Sequence, residues 1–214
     1  MTTIAVVDYG MGNLRSVAKA LAHVAPAHSV IISSNPAAIR NAERIVLPGQ
    51  SAMPDCMASL DASGLRSVVL EAMGDRPFLG ICLGLQMLFR DSEEGPTRCL
   101  DVLPGRVVRF REERLALAGG DRLKVPHMGW NRVHQARPHP LWQGIDDESR
   151  FYFAHSFHPQ LDDETLIAGQ ASYPLPFTCA VARANIFATQ FHPEKSHLAG
   201  LKLLANFVGW DGRP

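Results

Sequence analysis

A cysteine framed by glycines is the residue of this sequence best suited to nucleophilic chemistry. Cys82 lies between Gly80 and Gly84, after the apolar, strand-like run 78–81 and before the segment 83–90, which is predicted to be a helix. Flanking glycines permit the sharp turn of a nucleophile elbow, and backbone N–H groups at the start of a helix favour a thiolate. The spacing predicts an activated cysteine, and the alternative for a lone cysteine is simple packing in the core.

A second pair of residues has the chemistry that such a nucleophile requires. A cysteine nucleophile needs a base to take its proton and a third group to orient the base. His192 and Glu194 stand two residues apart, directly after the strand-like run 186–190, and this spacing can project both side chains to one side. Alone, the tripeptide also fits a surface turn, but together with Cys82 it predicts a Cys-His-Glu triad.

The elements that must position these residues are typical of an α/β fold. Helical periodicities at 14–25 and 65–72 alternate with short apolar runs, which predicts a mainly parallel sheet flanked by helices. The apolar runs are 4–7, 30–32, 45–47 and 78–81. Loops at Asp8-Tyr9-Gly10, Pro48-Gly49-Gln50 and Cys82 follow three of these strands. They should meet at the carboxyl edge of the sheet, where such folds bind ligands.

After residue 100 the pattern changes to short strand-like runs, several of which alternate apolar and polar residues. These runs are 105–110, 130–133, 151–155, 166–170, 179–183 and 186–190. Ala184-Asn185 is short enough for a hairpin turn, Gly119-Gly120-Asp121 predicts a turn or flexible loop, and Ser196 opens a final helix. We therefore expect an antiparallel, strand-rich extension of the sheet and a single domain over residues 1–214.

Composition limits the class of function. Lys+Arg and Asp+Glu number 21 each in 214 residues, so there is no basic excess to favour binding to nucleic acid or a membrane surface. The four cysteines, one of them Cys82, lack the paired spacing of a zinc site or a disulfide scaffold. Nucleotide-binding fingerprints, a secretory leader and long apolar runs are also missing from the sequence. We expect a cytoplasmic protein with no metal or cofactor.

Several motifs, in a fixed order, carry a family resemblance. They are Asp8-Tyr9-Gly10-Met11-Gly12-Asn13, Leu47-Pro48-Gly49, Gly80-Ile81-Cys82-Leu83-Gly84-Leu85-Gln86, Lys124-Val125-Pro126-His127-Met128-Gly129-Trp130-Asn131, His155-Ser156 and Gln190-Phe191-His192-Pro193-Glu194-Lys195-Ser196. From about residue 4 to 207 the chain resembles the glutaminase subunits of imidazole glycerol phosphate synthase, which are triad-type (class I) glutamine amidotransferases of histidine biosynthesis. The elbow and the His-Pro-Glu segment are common to all triad amidotransferases, whereas the first and fourth motifs point to this subunit type.

The resemblance implies a class I glutamine amidotransferase-like fold and a two-step hydrolysis of glutamine. Cys82 would attack the side-chain amide, releasing ammonia and leaving a glutamyl thioester that water then hydrolyses. His192 would act as general base and then general acid, with Glu194 holding its ring. A different amidotransferase specificity, a non-catalytic homologue and a cysteine peptidase with a similar elbow are the competing interpretations.

The resemblance also assigns the donors for the tetrahedral oxyanion. One is the backbone N–H of Leu83, and the second is the backbone around Gly49 and Gln50. In this family the second loop is thought to switch its peptide when the partner's ligand binds. Ser51 stands where the family commonly has a glycine; serine resists positive φ and adds a hydroxyl that could anchor the loop, which leaves open whether the peptide switches as easily.

Substrate binding is assigned to residues near the elbow and near the third strand-like run of the second half. They are Gly84, Gln86, His155, Ser156 and Phe157. Gln86 lies one helical turn beyond Cys82 and could face the same pocket, or it could be an exposed helix residue. For Ser156 the alternative to binding the carboxylate of glutamine is ordinary hydrogen bonding at a strand end.

Ammonia is useful only beside an enzyme that consumes it, and the resemblance names that partner as a (βα)₈-barrel cyclase. The two subunits would form a heterodimer in which the cyclase makes imidazole glycerol phosphate and an aminoimidazole carboxamide ribotide. The residues at family interface positions are Asn13, His127, Met128, Trp130, Tyr152 and Lys195. The alternative for Met128 and Trp130 is plain core packing, and Tyr152 with Lys195 could seal the interface against loss of ammonia.

Overall fold

The computed structural model describes residues 2–111 and 123–214, so the predicted turn at Gly119-Gly120-Asp121 lies outside the described residues. The helices of these ranges are α1 (Leu14–Val24), α2 (Pro36–Asn41), α3 (Met53–Ala62), α4 (Arg66–Ala72), α5 (Leu83–Gln86) and α6 (His197–Gly209). The first strands are β1 (Thr3–Val7), β2 (Ser29–Ser33), β3 (Arg44–Gly49), β4 (Phe78–Cys82), β5 (Asp91–Ser92), β6 (Thr97–Arg98) and β7 (Gly105–Arg109). The later strands are β8 (His127–Gln135), β9 (Ser149–His155), β10 (Phe157–Leu161), β11 (Ile167–Ser172), β12 (Pro176–Arg183) and β13 (Ile186–Thr189).

Within the described ranges a nine-stranded sheet runs in the order β2-β1-β3-β4-β13-β12-β11-β8-β9. Pairs from β2 to β13 are parallel, and pairs from β13 to β9 are antiparallel. A smaller four-stranded sheet has the order β10-β7-β5-β6. This arrangement confirms the predicted mainly parallel sheet with an antiparallel extension, and the hairpin turn predicted at Ala184-Asn185 joins β12 to β13.

The centre of the sheet is buried on both faces, which is why its strands are almost continuously apolar. All of β4 is buried, and so are Ile4–Val7 of β1. Helix α1 covers one side through Val17 and Leu21, as its 3.6-residue periodicity predicts. Among the described residues, no helix is both long and apolar enough to cross a membrane.

Two helices escaped the sequence analysis because they are short or weakly amphipathic. Asn35 caps α2, since its side chain accepts hydrogen bonds from the N–H groups of Ala37 and Ala38, and Pro36 occupies the first turn. Helix α3 also has a proline in its first turn. An Asn-Pro pair before small residues is a helix-start pattern that would have identified α2.

The helix predicted over 83–90 is wrong in length, because α5 ends at Gln86. The carbonyl groups of residues 87–89 accept hydrogen bonds from backbone N–H groups of the segment 100–103. The N–H groups of Leu88 and Phe89 donate to the carbonyls three residues before them, not four, so the chain leaves α-helical geometry after Gln86. The nucleophile therefore precedes a single helical turn and gains less from a helix dipole than the sequence suggests.

Candidate active site

The turn at Cys82 has the geometry of a nucleophile elbow. Cys82 adopts φ 57° and ψ −111°, a positive φ that is uncommon for a residue other than glycine. A Cβ on Gly84 would collide with the carbonyl oxygen of Leu47, and one on Gly80 would lie 2.8 Å from the carbonyl oxygen of Gly84. The two glycines are therefore needed for the close packing that lets strand β4 turn directly into α5.

The end of β3 packs directly against the elbow. Gly49 is the register partner of Cys82, and a Cβ on Gly49 would lie only 2.7 Å from Cβ of Leu83 and 2.9 Å from the backbone nitrogen of Gly84. The backbone of β3 can approach the first turn of α5 this closely only because residue 49 is a glycine. Leu83, Gly49 and the adjoining Gln50, the residues predicted to hold the oxyanion, are thus neighbours in space.

The loop after Gly49 is held by residues from two other elements. The Tyr9 hydroxyl donates to the carbonyl of Pro48 over 3.0 Å, and the Cys56 thiol donates to the carbonyl of Gln50 over 3.1 Å. Burial raises the pKa of both donors, so both keep their protons at neutral pH. Ser51 follows at φ 85°, so serine occupies the positive-φ conformation that its side chain disfavours.

His192 and Glu194 form a buried pair beside the elbow. His192 Nδ1 lies 2.9 Å from Glu194 Oε1, and the Glu194 side chain is 0% exposed. Because a carboxylate only accepts, Nδ1 carries a proton and Nε2 is the atom that meets the Cys82 thiol. Burial alone would lower the pKa of His192, but Cys82 and the Glu194 carboxylate stabilise the imidazolium and raise this pKa to about 10.

The second carboxylate oxygen strengthens this preference for an imidazolium. Glu194 Oε2 is buried and makes no hydrogen bond with the described residues. A buried carboxylate with one unpartnered oxygen depends on its remaining partner for stabilisation. His192 therefore holds its second proton more strongly than an exposed histidine would.

The turn that carries His192 is bonded to the backbone of strand β9. The N–H of His192 donates to the carbonyl of Tyr152 over 2.9 Å. The N–H of Tyr152 donates to the hydroxyl of Ser196 over 2.9 Å, and that hydroxyl donates to the carbonyl of His192 over 2.6 Å. Both backbone polar groups of Tyr152 are thereby bonded to the segment that bears the base.

A cleft of 170 Å³ lies beside the elbow. Its lining includes Ser51, Leu83, Gln86, His155, Ser156 and Phe157. Drug-sized ligands occupy pockets of about 300–1,000 Å³, so this volume suits a molecule of amino-acid size. A larger cleft of 620 Å³ lies along β7, β10 and β12, but its described lining contains none of the predicted site residues. We favour the smaller cleft because Leu83, Gln86 and the segment 155–157, which are predicted oxyanion and substrate residues, line it.

Gln86 is the most informative polar residue of this cleft. Its side chain is 1% exposed, so the alternative of an exposed helix residue is wrong. Its Nε2 donates to the carbonyl of Phe157 over 3.0 Å, while its Oε1 is buried without a partner among the described residues. Buried polar atoms are almost always hydrogen-bonded, so this oxygen calls for a donor, from water or a ligand, that the described residues do not supply.

The segment 155–157 forms the opposite wall. Ser156 lies between β9 and β10, and its carbonyl accepts from the N–H of Phe110 over 3.1 Å, so the strand-end bonding considered for it is present. His155 Nδ1 lies 2.7 Å from the carbonyl oxygen of Phe157, and its Nε2 lies 2.9 Å from His127 Nδ1. Burial holds the pKa of His155 well below its usual range and lowers that of His127 to about 4, so both rings are neutral at pH 7.

The outer side of β8 and β9 is an exposed, partly aromatic face. Met128 is 63% exposed and Trp130 is 42% exposed, so core packing of these two residues is wrong. Trp130 pairs across strands with Tyr152, and the Lys195 ammonium lies 6.0 Å from the centre of the Tyr152 ring. We call Met128, Trp130, Tyr152 and Lys195 the outer face.

The two other predicted interface residues do not lie on the outer face. Asn13 immediately precedes α1, is partly exposed and makes no side-chain cap to that helix. His127 is buried and stacks between Phe153 and Tyr173, with ring centroids 4.8 Å and 4.0 Å away. Its side chain therefore supports strand β8 from beneath.

Sequence reasoning missed one residue that contacts the nucleophile. Gln190 is 0% exposed, and its Nε2 lies 3.8 Å from Cys82 Sγ. It stands two residues before His192 at the end of a strand, where alternate side chains share a side. This spacing was the pattern that could have identified it.

The parallel sheet, the elbow and the Cys-His-Glu cluster together define a class of enzyme, and comparison with known families agrees. The family model described as "Glutamine amidotransferase class-I" matches residues 5–209. The chain therefore belongs to the class-I glutamine amidotransferase family, and the predicted fold and enzyme class are confirmed.

The curated relatives are of one subunit type. The chain is 59% identical over 210 residues to "Imidazole glycerol phosphate synthase subunit HisH" of Nitrosomonas europaea, covering 98% of this chain and 99% of that protein. It is 60% identical over 208 residues to the HisH subunit of Thiobacillus denitrificans, covering 97% and 91%. The predicted resemblance to these glutaminase subunits is therefore confirmed.

A solved structure has a fold similar to that of this chain. PurLQS from Thermotoga maritima matches with a TM-score of 0.70. The match covers 97% of this chain and 98% of that one at 16% sequence identity. At that identity the comparison concerns the fold alone.

Proposed function

We propose that this chain is the glutaminase subunit of an imidazole glycerol phosphate synthase, acting in histidine biosynthesis in the cytoplasm as one domain over residues 1–214. It hydrolyses glutamine to glutamate and ammonia and passes the ammonia to a (βα)₈-barrel cyclase. The observation that carries the proposal is the cluster of Cys82, His192 and Glu194 at the elbow, with the buried, unpartnered Oε1 of Gln86 one helical turn beyond the nucleophile in sequence. The near-complete match to HisH subunits supports the choice of pathway.

The first half-reaction uses the proton held between Cys82 and His192. The Cys82 thiolate attacks the side-chain amide carbon of glutamine and forms a tetrahedral oxyanion. His192 gives its Nε2 proton to the departing nitrogen, so ammonia leaves and a glutamyl thioester remains. Glu194 holds the ring at Nδ1 and stabilises the imidazolium before that transfer.

The second half-reaction reverses the role of the base. His192, now neutral, removes a proton from water, and the resulting hydroxide attacks the thioester carbonyl carbon. The C–S bond breaks, glutamate leaves, and the thiolate–imidazolium pair is restored. The backbone N–H of Leu83 and the backbone at Gly49 and Gln50 would stabilise both oxyanions, and losing one such donor typically costs about 10²–10³ in turnover.

The cleft supplies contacts for the amino-acid end of the substrate. The α-ammonium of glutamine carries donors, which matches the acceptor that Gln86 Oε1 leaves unused. Ser156, with the backbone of His155 and Phe157, would bind the α-carboxylate. Gly84 would take part through its backbone alone, because the carbonyl of Leu47 fills the space beside its Cα.

The outer face is the proposed contact with the cyclase. Apolar, aromatic and hydrogen-bonding groups mix there, as they do at the centres of protein interfaces. Met128 and Trp130 would pack against the barrel, while Lys195 over the Tyr152 ring would close the rim. Asn13 and His127 would contribute at the margin and from beneath the strand.

An assay of the chain with and without a barrel cyclase and its nucleotide ligand tests the proposal. We expect weak glutamate release from the free chain and a strong rise in the ligand-bound complex. Cys82→Ala should abolish glutamine-dependent synthesis and leave synthesis from added ammonium intact. High glutaminase activity without any partner would contradict the proposal.

A second variant tests the seal at the rim. Lys195→Ala should lower the ratio of product formed to glutamate released, because ammonia escapes into water. Arg132→Ala, at an exposed cationic residue of β8, serves as the matched control and should leave that ratio unchanged. An unchanged ratio in Lys195→Ala would refute the sealing role.

A further inference from the structure

The carbonyl of Phe157 determines which way the amide of Gln86 points. A carbonyl oxygen only accepts hydrogen bonds, so the Gln86 group 3.0 Å from it must be the NH₂. The carbonyl is itself held by His155, whose Nδ1 donates to it over 2.7 Å. Gln86 must therefore turn its Oε1 away from this carbonyl, and that buried oxygen has no partner among the described residues.

The same rule orients Gln190. The NH₂ of Gln86 also donates to Gln190 over 2.9 Å, which requires the acceptor Oε1 of Gln190 on that side. The NH₂ of Gln190 is then left facing Cys82 Sγ at 3.8 Å, within reach of a hydrogen bond to sulfur. A thiolate accepts and does not donate, so the direction of every bond in the series is consistent from Phe157 to the nucleophile.

Gln190 is fixed in place for this contact. It is 0% exposed, and its N–H donates to the carbonyl of Cys179 on the neighbouring strand over 2.8 Å. Its side-chain amide has both ends engaged, one on Gln86 and the other on Cys82. A polar side chain buried this fully is costly unless its hydrogen bonds are made, so its position depends on these two partners.

We propose that Gln190 is a further catalytic residue, which donates a hydrogen bond to the Cys82 thiolate and fixes the Gln86 amide with Oε1 towards the substrate ammonium. The substrate half of this role rests on the proposed function, whereas the sulfur half does not. Through Gln190, the nucleophile and the substrate-binding amide belong to one hydrogen-bonded series. Losing Gln190 should therefore affect two quantities that a purely structural residue would leave alone.

The first quantity is the protonation of Cys82, followed in the full-length chain. Alkylation by iodoacetamide is measured against pH, with the modified peptide containing Cys82 quantified by mass spectrometry. Gln190→Met keeps the shape of the side chain but removes the donor, so the midpoint of alkylation should rise by about one pH unit. Gln135→Met is the matched control, because Gln135 lies on β8 and its side-chain amide donates to the carbonyl of Ile145 and not to a residue of the site. Its midpoint should equal that of the wild type.

The second quantity is the KM for glutamine in the complex with a cyclase. Gln190→Met should raise KM about ten-fold, the effect of one lost hydrogen bond to a charged group. Gln86→Met should raise it at least as much, and the double variant should resemble Gln86→Met, because both residues act on the same acceptor. Additive effects on KM would contradict the coupling.

Two further outcomes complete the test. If Gln190→Met does not fold, Gln190→Asn withdraws the same amide by one methylene and should shift the alkylation midpoint in the same direction. A midpoint and a KM equal to those of the wild type in a folded Gln190 variant would overturn the proposal. A wild-type chain that stays inactive towards glutamine in the ligand-bound complex with the cyclase would refute the proposed function, and the alkylation midpoint would still decide the contact with sulfur.

Discussion

Replacing Glu194 by glutamine tests the electrostatic reasoning most directly. The change keeps the size of a side chain that is fully shielded and 2.9 Å from His192 Nδ1, but it removes the negative charge. An opposite charge at this range typically shifts a pKa by about 1–3 units, or roughly 1.4–4 kcal/mol. The pKa of His192, now about 10, should therefore fall to about 7–9.

This shift has a defined effect on stability. The folded-state pKa of His192 lies above its unfolded value, so its stabilisation is complete below about pH 6.5 and is lost as the pH rises through about 10. The difference in free energy of unfolding between wild type and Glu194→Gln should thus be largest near pH 6 and should approach zero near pH 10. Urea unfolding of the free chain across this range measures it.

Activity gives the second measurement. Glutamine-dependent turnover should fall by about 10²–10⁴, because glutamine can present its NH₂ to Nδ1 and favour the wrong tautomer of His192. Synthesis from ammonium should not change. Glu71→Gln, at an exposed ion pair with Arg40, is the control and should alter neither measurement. A Glu194→Gln variant with wild-type turnover and an unchanged pH dependence of stability would refute the reasoning.

Three other predictions concern backbone strain, packing and the outer face. Ser51→Gly should raise the free energy of unfolding by up to about 1 kcal/mol, because glycine adopts a φ of 85° without strain. A lower free energy of unfolding, measured with urea, would contradict this. Gly84→Ala should lower the free energy of unfolding by about 1–3 kcal/mol, because the added Cβ collides with the carbonyl of Leu47. Gly209→Ala, whose Cβ meets open space, should not lower it, and equal effects of the two substitutions would exclude a steric cause. Trp130→Ala should weaken binding to the cyclase at least about ten-fold by calorimetry with unchanged unfolding, and unaltered affinity would exclude it from the interface.

The sequence predicts the sheet and the elbow because their causes are local. Continuous apolar runs and glycines at fixed offsets are visible in one dimension, and they place Cys82 at the end of a buried strand. The length of α5 was not predictable in this way, because the residues directly after it bond through their carbonyl groups to the segment 100–103. A partner remote in sequence decides that boundary.

The same distinction applies within the site. His192 and Glu194 were identifiable from their chemistry and spacing, whereas Gln190 acquires its role only from contacts with Gln86 and Cys82 more than a hundred residues away. The exposure of Trp130 was also not predictable from the sequence. A tryptophan in an alternating strand gives the same sequence pattern whether its face of the sheet meets a core or solvent. Only the order of strands shows that β8 is near the edge of the sheet.

Tyr152 divides two tasks between its side chain and its backbone. The ring belongs to the outer face, while the N–H and carbonyl hold the segment that carries His192. If the outer face is the proposed contact with the cyclase, side-chain substitutions at residue 152 should change partner preference without moving the base. A proline there would remove the N–H and disturb the base even if its ring fitted the partner. The side chain at this position can therefore vary, while the backbone must keep its N–H and its conformation. These properties make residue 152 a suitable starting point for redesigning subunit specificity.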